Sequence, residues 1–149
     1  QNIPIENFNM PSRPNVSGIL ETTLYVSNLK TSIHFYQQVF GFKTLLADER
    51  FCALSVANRQ ILLLFTESAS RQPLVLPGGT IPEHGASGQL HVAFPIATED
   101  LDAWRKWLLD LQVNIDSEVR SEYGGTSLYF RDPDNHLLEV LTPGCWPNH

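Results

Sequence analysis

The chain has 149 residues, of which 42% are hydrophobic and 17% charged, a balance typical of one folded domain rather than a disordered chain. Ten Lys and Arg against 16 Asp and Glu give a formal net charge of −6, so the basic surface that nucleic-acid binding requires is absent. No apolar run approaches the roughly 20 residues of a membrane-spanning helix. We therefore expect a cytoplasmic protein with neither nucleic-acid nor membrane partners.

The first 17 residues are rich in proline, with Pro4, Pro11 and Pro14 among polar residues. Proline removes a backbone donor and fixes φ, so this stretch cannot propagate a helix. We predict an extended N-terminal arm over residues 1–17, followed by a single domain over residues 18–149.

Residues 18–67 show the pattern of a strand, a helix and three more strands. The segment ILETTLYVS is rich in β-branched and apolar residues, which is typical of a strand. Ser27 and Asn28 then offer a helix start, and Gly41 offers a helix end. The segments that follow read as three strands: KTLLADER, FCALSVANR and QILLLFTES. The first module is therefore predicted to be βαβββ.

A proline- and glycine-rich stretch over residues 68–87 separates this module from the next. It shows no clear helical or strand period, so we predict a long loop there. With few large apolar residues to bury, such a loop is expected to open easily and to order over an occupied cavity.

The same element order returns over residues 88–143. GQLHVAFPIA predicts a strand and DLDAWRKWLLDL a helix, followed by the strands VNIDSEVRS, TSLYFRD and HLLEVLT. Two βαβββ modules of similar length indicate an internal duplication, which is seen in the order of elements rather than in residue identity.

The duplication identifies four equivalent positions on the first and last strands of the modules. They are Glu21 and Leu63 in the first module, and His91 and Glu139 in the second. Three of these side chains can bind a metal ion, and a carboxylate inside the apolar segment HLLEVL is costly to bury unless it is paired. A cation shared by the three would offset that cost. The alternative is that the two carboxylates face water and that His91 is a hydrogen-bonded core residue.

Three segments of the chain are informative as a set: ETTLYVSNLKTSIHFYQQVFGF, LHVAFPIATEDLDAWRKWL and SLYFRDPDNHLLEVLTPG. With these segments the chain resembles the vicinal oxygen chelate superfamily, which includes glyoxalases, bleomycin-resistance proteins and extradiol dioxygenases. The resemblance implies an α+β fold in which two βαβββ modules form an incomplete eight-stranded barrel around a central cavity. It also implies that His91 and Glu139 occupy two standard metal-ligand positions, and that Glu21 occupies the place usually held by His or Gln.

The chain departs from the glyoxalase pattern at Leu63, where glyoxalase-type members supply a fourth ligand, so a true glyoxalase I activity is not expected. We expect a divalent ion (Mn, Fe, Ni or Zn) held by Glu21, His91 and Glu139, with the two carboxylates as catalytic residues. The predicted function is a lyase, isomerase or transferase acting on a small chelating substrate, in a homodimer. The alternative is a metal-free protein that sequesters a small molecule in the same cavity.

Four residues are candidates for contact with the substrate. Tyr129 and Arg131 share one face of a predicted strand, Leu63 stands at the vacant ligand position, and His84 lies in the long loop. Arg131 has an alternative as the ion-pair partner of Asp132 or Asp134. We expect His136, at the start of the last strand, to be a surface residue.

The two cysteines, Cys52 and Cys145, fit no C-x-x-C metal or redox pattern. We therefore expect them to be isolated thiols.

Overall fold

The computed structural model describes residues 12–149. Most of the predicted N-terminal arm therefore lies outside the described residues. Residues 12–17 are exposed and belong to no helix or strand.

The first half of the chain forms a four-stranded sheet with one helix. Its elements are β1 (Glu21–Val26), α1 (Leu29–Phe40), β2 (Lys43–Ala47), β3 (Phe51–Val56) and β4 (Gln60–Thr66). The strand order is β1-β4-β3-β2, in which β1 runs parallel to β4 and the other pairs are antiparallel. A parallel pair needs a crossover, and α1 with the two middle strands supplies it.

Local sequence sets both ends of α1. The Asn28 side chain accepts a 3.0 Å hydrogen bond from the Thr31 backbone N–H, which satisfies one of the free donors of the first turn. Gly41 ends the helix with φ of 69°, a left-handed conformation that glycine adopts without a steric penalty. Both predicted helix boundaries are confirmed.

The segment between the halves contains a hairpin, so the prediction of a loop without regular structure is wrong there. Its strands are β5 (Leu74–Leu76) and β6 (Gly79–Ile81), paired antiparallel around Pro77 and Gly78. These strands are too short to show a period in the sequence. Pro77 and Gly78, two of the residues that suggested a loop, form the turn between them.

Ser70 and His84 close the base of the hairpin segment, residues 68–87. The His84 backbone N–H donates to the Ser70 carbonyl at 2.8 Å, and the Ser70 hydroxyl donates to the His84 carbonyl at 2.7 Å. Ser70 is buried. The two bonds bring the ends of the hairpin segment together.

The second half repeats the first. Its elements are β7 (His91–Pro95), a short 3₁₀ turn (Thr98–Asp100), α2 (Leu101–Asp110), β8 (Ile115–Arg120), β9 (Thr126–Arg131) and β10 (Leu137–Leu141). The strand order β7-β10-β9-β8 matches that of the first sheet, again with the outer pair parallel. The mixed α+β fold is confirmed. The two sheets are separate and open at their edges, so closure into a barrel remains a proposal.

Alternation along the strands gives each sheet one buried and one open face. On β1, Leu24 and Val26 are buried, whereas Glu21 is exposed and Tyr25 is half-buried. The buried faces form the core together with α1 and with the helix of the second half, α2. The fully buried members of this core include Tyr36, Leu54, Leu62, Leu64, Leu108, Leu128, Phe130, Leu138 and Val140.

Aromatic packing joins the two halves. The Phe40 ring at the end of α1 lies 4.6 Å from that of Phe94 and 5.6 Å from that of Trp104, measured between ring centroids. The Trp107 indole N–H donates to the Val39 carbonyl at 2.8 Å. The end of α1 therefore contacts residues of the second half. Neither described α-helix is long and apolar enough to cross a membrane.

His136 is buried and links the two halves through hydrogen bonds. The predicted surface position of this residue is therefore wrong. Its Nδ1 accepts from the Leu90 backbone N–H at 2.9 Å, and its Nε2 donates to the Tyr25 carbonyl at 2.7 Å. These backbone partners put the ring proton on Nε2. The side chain is buried because it lies between Leu90, just before β7, and Tyr25 on β1, two partners far from residue 136 in the sequence.

Candidate functional site

A pocket of about 270 Å³ lies on the open face of the second sheet. Glu139 lines it from β10, whereas its neighbours Leu138 and Val140 point into the core. The complete lining is His91, Val119, Ser121, Ser127, Tyr129, Glu139, Cys145 and Trp146. The pocket volume is at the small end of the range for small-molecule sites.

The register of the strands supports the equivalence of the four predicted positions. Glu139 pairs across the parallel ladder with Ala93, two residues after His91. In the first sheet, Leu63 pairs with Thr23, two residues after Glu21. Leu63 therefore stands where the second half has Glu139, and Glu21 stands where it has His91.

His91 and Glu139 come together in the pocket. The His91 Nε2 lies 3.1 Å from the Glu139 Oε1. Glu139 is only 6% exposed, whereas the His91 side chain is 50% exposed. A carboxylate withdrawn from water requires a compensating partner. For Glu139 that partner is His91, whose side chain is open to solvent.

Glu21 does not join this pair within one chain. It is exposed at the start of β1, in the first sheet. Among residues 12–149, no three His, Cys, Asp or Glu side chains lie together as a metal-binding group. A single copy thus brings together two of the three predicted ligands.

Tyr129 lies beside Glu139, its partner in the antiparallel ladder, and lines the pocket. Burial and the neighbouring Glu139 charge raise the pKa of Tyr129 above its usual range. The phenol therefore keeps its proton at neutral pH and can donate a hydrogen bond to a ligand in the pocket.

Arg131 is engaged outside the pocket. Its Nε lies 3.1 Å from the Asp116 Oδ2, and its Nη1 donates to the Asn135 carbonyl at 3.1 Å. The ladder between β8 and β9 shifts register between Ile115 and Ser117, which leaves Asp116 free to face Arg131. Arg131 does not line the pocket, and it pairs with Asp116 rather than with Asp132 or Asp134. Its contact with a substrate stays a prediction.

Leu63 and His84 belong to the first half and are not part of this pocket's lining. Leu63 is half-buried on β4. The His84 Nδ1 lies 2.6 Å from the Tyr25 hydroxyl, and the His84 ring packs edge-on against Phe65 at 4.9 Å between centroids. Of the four predicted substrate residues, Tyr129 alone lines the pocket of the same chain.

Sequence reasoning missed several lining residues. Ser127 could have been found because it alternates with Tyr129 on β9. Cys145 and Trp146 follow the last strand in a turn that carries no periodic signal. Both cysteines are free thiols, and Cys52 is buried in the core.

Comparisons with known proteins show the family to which the fold belongs. The model of the Glyoxalase/Bleomycin resistance protein/Dioxygenase superfamily matches residues 18–140. The chain is 35% identical over 130 residues to the metallothiol transferase FosB of Bacillus licheniformis, covering 85% of this chain and 76% of that protein. It is 31% identical over 129 residues to FosB of Shouchella clausii, covering 85% of this chain and 81% of that protein.

Among solved structures, the lactoylglutathione lyase of Agrobacterium tumefaciens is similar over 90% of this chain and 99% of its own, with a TM-score of 0.82 and 31% identity. The match extends across both halves of the fold.

Proposed function

Because the chain belongs to the Glyoxalase/Bleomycin resistance protein/Dioxygenase superfamily, we propose that it is a metal-dependent enzyme. Its substrate in this proposal is a small molecule that binds the metal through two adjacent oxygens. The pocket on the second sheet holds the reacting part of that substrate.

The contact between His91 and Glu139 carries the proposal. Ligand atoms bonded at about 2.1 Å to one ion lie about 3–3.4 Å apart, and the Nε2 and Oε1 of this pair are separated by 3.1 Å. One imidazole nitrogen and one carboxylate oxygen form a donor set suited to Mn²⁺, Fe²⁺, Ni²⁺ or Zn²⁺. The Glu139 carboxylate is buried, so a cation at this position would neutralise a negative charge that water does not solvate.

The third ligand in this proposal is Glu21 of a second copy of the chain. Glu21 is exposed on β1 at the position equivalent to His91, and a half-exposed His91 leaves room for a group from outside the chain. With the open face of the first sheet of one copy against the pocket of another, eight strands surround the cavity. The proposed homodimer thereby completes both the barrel and the site.

When bound, a divalent ion stabilises negative charge that develops on a substrate oxygen. Glu139 and Glu21 are the proposed catalytic residues, because a carboxylate beside the substrate can accept a proton from a hydroxyl or thiol. Tyr129 donates a hydrogen bond that orients the substrate. Leu63 supplies no ligand atom, which keeps a coordination position open for the substrate.

Among the reaction types, the relatives support a transferase. Two FosB proteins at 35% and 31% identity are named metallothiol transferases. We therefore propose transfer of a thiol to a small chelating substrate, in preference to a lyase or isomerase reaction. In this step the sulfur bonds to a substrate carbon, the bond from that carbon to an oxygen breaks, and the thiol proton passes to that oxygen.

Elemental analysis of protein purified without chelators tests the metal site. We expect about one divalent ion per chain in the wild type and a large loss in Glu139→Gln, because the buried ligand is removed. Glu118→Gln is the matched control, since Glu118 lies on β8 in an ion pair with Arg105 outside the pocket. Equal metal content in the wild type and Glu139→Gln contradicts the assignment.

A metal-free sequestering pocket is the second candidate. The observation that favours it is the direct hydrogen bond between His91 and Glu139, which satisfies the buried carboxylate without an ion. Ligand binding measured with and without EDTA separates the two functions. Affinity that is unaffected by EDTA supports sequestration, and affinity that is lost supports the metal-dependent enzyme.

A further inference from the structure

One wall of the pocket is formed by the residues that follow the last strand. We call Gly144–Trp146 the C-terminal wall. Cys145 and Trp146 line the same pocket as His91 and Glu139. The pocket thus has two ends. One is polar and holds the proposed metal ligands His91 and Glu139, and the other is formed by the C-terminal wall.

Hydrogen bonds attach the C-terminal wall and the residues just before it to the second sheet and the turn beside it. The Thr142 backbone N–H donates to the Thr126 carbonyl at 3.0 Å, and the Thr142 hydroxyl accepts from the Thr126 N–H at 2.8 Å. Beyond it, the Ser121 hydroxyl donates to the Gly144 carbonyl at 3.1 Å. The Gly144 N–H donates to the His149 carbonyl at 2.8 Å, which closes the tail on itself.

Two glycines allow this close attachment. A Cβ on Gly125 would lie 2.6 Å from the backbone nitrogen and the sulfur of Cys145. Gly144 has a φ of +104°, and a Cβ there would lie 2.8 Å from the Gly125 nitrogen. Because backbone packs directly on backbone, the position of the wall is built into the fold.

The surface that the wall offers to a ligand is flat and apolar. Trp146 lines the pocket yet is 67% exposed, and Val119 on β8 adds an apolar side chain that is 48% exposed. Cys145 contributes a polarisable sulfur beside Ser127, with 3.7 Å between Sγ and Oγ. An aromatic side chain held at a pocket wall without being buried gives a planar ligand a surface on which to stack.

We propose that the C-terminal wall selects substrates whose metal-binding oxygens carry a planar apolar substituent. The substituent packs against Trp146 and Cys145 while the oxygens face His91 and Glu139. This inference rests on the proposed function for the polar end of the pocket, and it assigns the substrate preference to residues outside the predicted site.

Two 2-hydroxy acids test the inference, because both chelate through a hydroxyl and a carboxylate oxygen. Lactate carries a methyl group and mandelate a phenyl group. In calorimetry on Mn²⁺-loaded protein, we expect mandelate to bind about tenfold more tightly than lactate, since the phenyl ring buries more apolar surface. Trp146→Ala should abolish the preference and leave lactate affinity and metal content unchanged. Tyr123→Ala is the control, because Tyr123 is an exposed aromatic residue outside the pocket lining.

Thiol labelling gives a readout that does not depend on turnover. Cys145 lies at the pocket and Cys52 is buried, so N-ethylmaleimide should modify Cys145 first. Cys145→Ser identifies that reaction by its loss. Mandelate should slow the labelling of Cys145 more than lactate does at equal concentration.

The outcomes separate the inference from the function on which it rests. Two results would contradict the selecting role of the C-terminal wall: equal affinity for the two acids in the wild type, or a mandelate preference that persists in Trp146→Ala. Neither result would contradict the proposed metal site. Failure of both acids to bind Mn²⁺-loaded protein also overturns the inference. The proposed function fails separately, if Glu139→Gln retains wild-type metal content and acid affinity.

Discussion

Tyr36 on the first helix donates a 2.7 Å hydrogen bond to the Asp132 carboxylate in the turn before the last strand. The other oxygen of Asp132 accepts from the backbone N–H groups of Asp134 and His136, both at 2.9 Å. Burial and the Asp132 charge raise the pKa of Tyr36, so its hydroxyl remains a donor. This buried contact fixes the turn from which β10 carries Glu139 to the pocket.

Tyr36→Phe should lower the free energy of unfolding by about 1–3 kcal/mol, because Asp132 loses a donor that water cannot replace. Urea unfolding followed by circular dichroism measures the change. Tyr123→Phe is the matched control, since Tyr123 is exposed, and it should have little effect. Equal stability of Tyr36→Phe and the wild type would show that the turn does not depend on this contact.

His136→Leu should leave the Leu90 N–H and the Tyr25 carbonyl without their partner. Both hydrogen bonds are part-buried, and a group left unpaired away from water costs about 1–3 kcal/mol. Differential scanning calorimetry should detect the loss as a lower Tm. Metal affinity should fall as well, because Leu90 directly precedes His91. A variant with lower Tm and unchanged metal affinity would limit His136 to a structural role.

Leu63→Glu should tighten metal binding, because Leu63 occupies the position equivalent to Glu139. The added carboxylate restores a ligand and removes an open coordination position, so substrate binding should weaken at the same time. Leu63→Met controls for the change of side chain without adding charge. Competition with a fluorescent chelator measures metal affinity, and an unchanged value in a folded Leu63→Glu variant would contradict the ligand role of this position.

The hairpin segment between the halves should exchange its amide hydrogens unevenly. The His84 N–H is bonded to the Ser70 carbonyl at the base, so we expect it to be protected even without ligand. Amides of the two short strands should exchange faster and should slow when mandelate and Mn²⁺ fill the pocket. Ligand-independent exchange throughout the segment would remove the predicted role of a lid.

Features encoded by neighbouring residues could be predicted from the sequence. The element order, the Asn28 and Gly41 boundaries of α1 and the internal duplication follow from local patterns, and so does the placement of His91 and Glu139 on adjacent strands. The hairpin of β5 and β6 escaped prediction because three-residue strands carry too little periodicity.

Features that depend on distant partners could not be predicted. The burial of His136 requires Leu90 and Tyr25, and the engagement of Arg131 requires a bulge that frees Asp116. The C-terminal wall depends on a glycine contact between separate turns. In the proposed homodimer, the position of Glu21 relative to the pocket depends on a second copy, which no pattern within one sequence specifies.

Mixing two defective variants tests the proposed metal centre most directly. Glu21→Ala and His91→Ala should each lose metal on dialysis. If Glu21 completes the site of a second copy, a mixed dimer retains one intact site out of two. Random refolding of equal amounts then restores about a quarter of the wild-type metal content. Metal retained by Glu21→Ala alone, or no metal regained in the mixture, would contradict a centre shared between two copies.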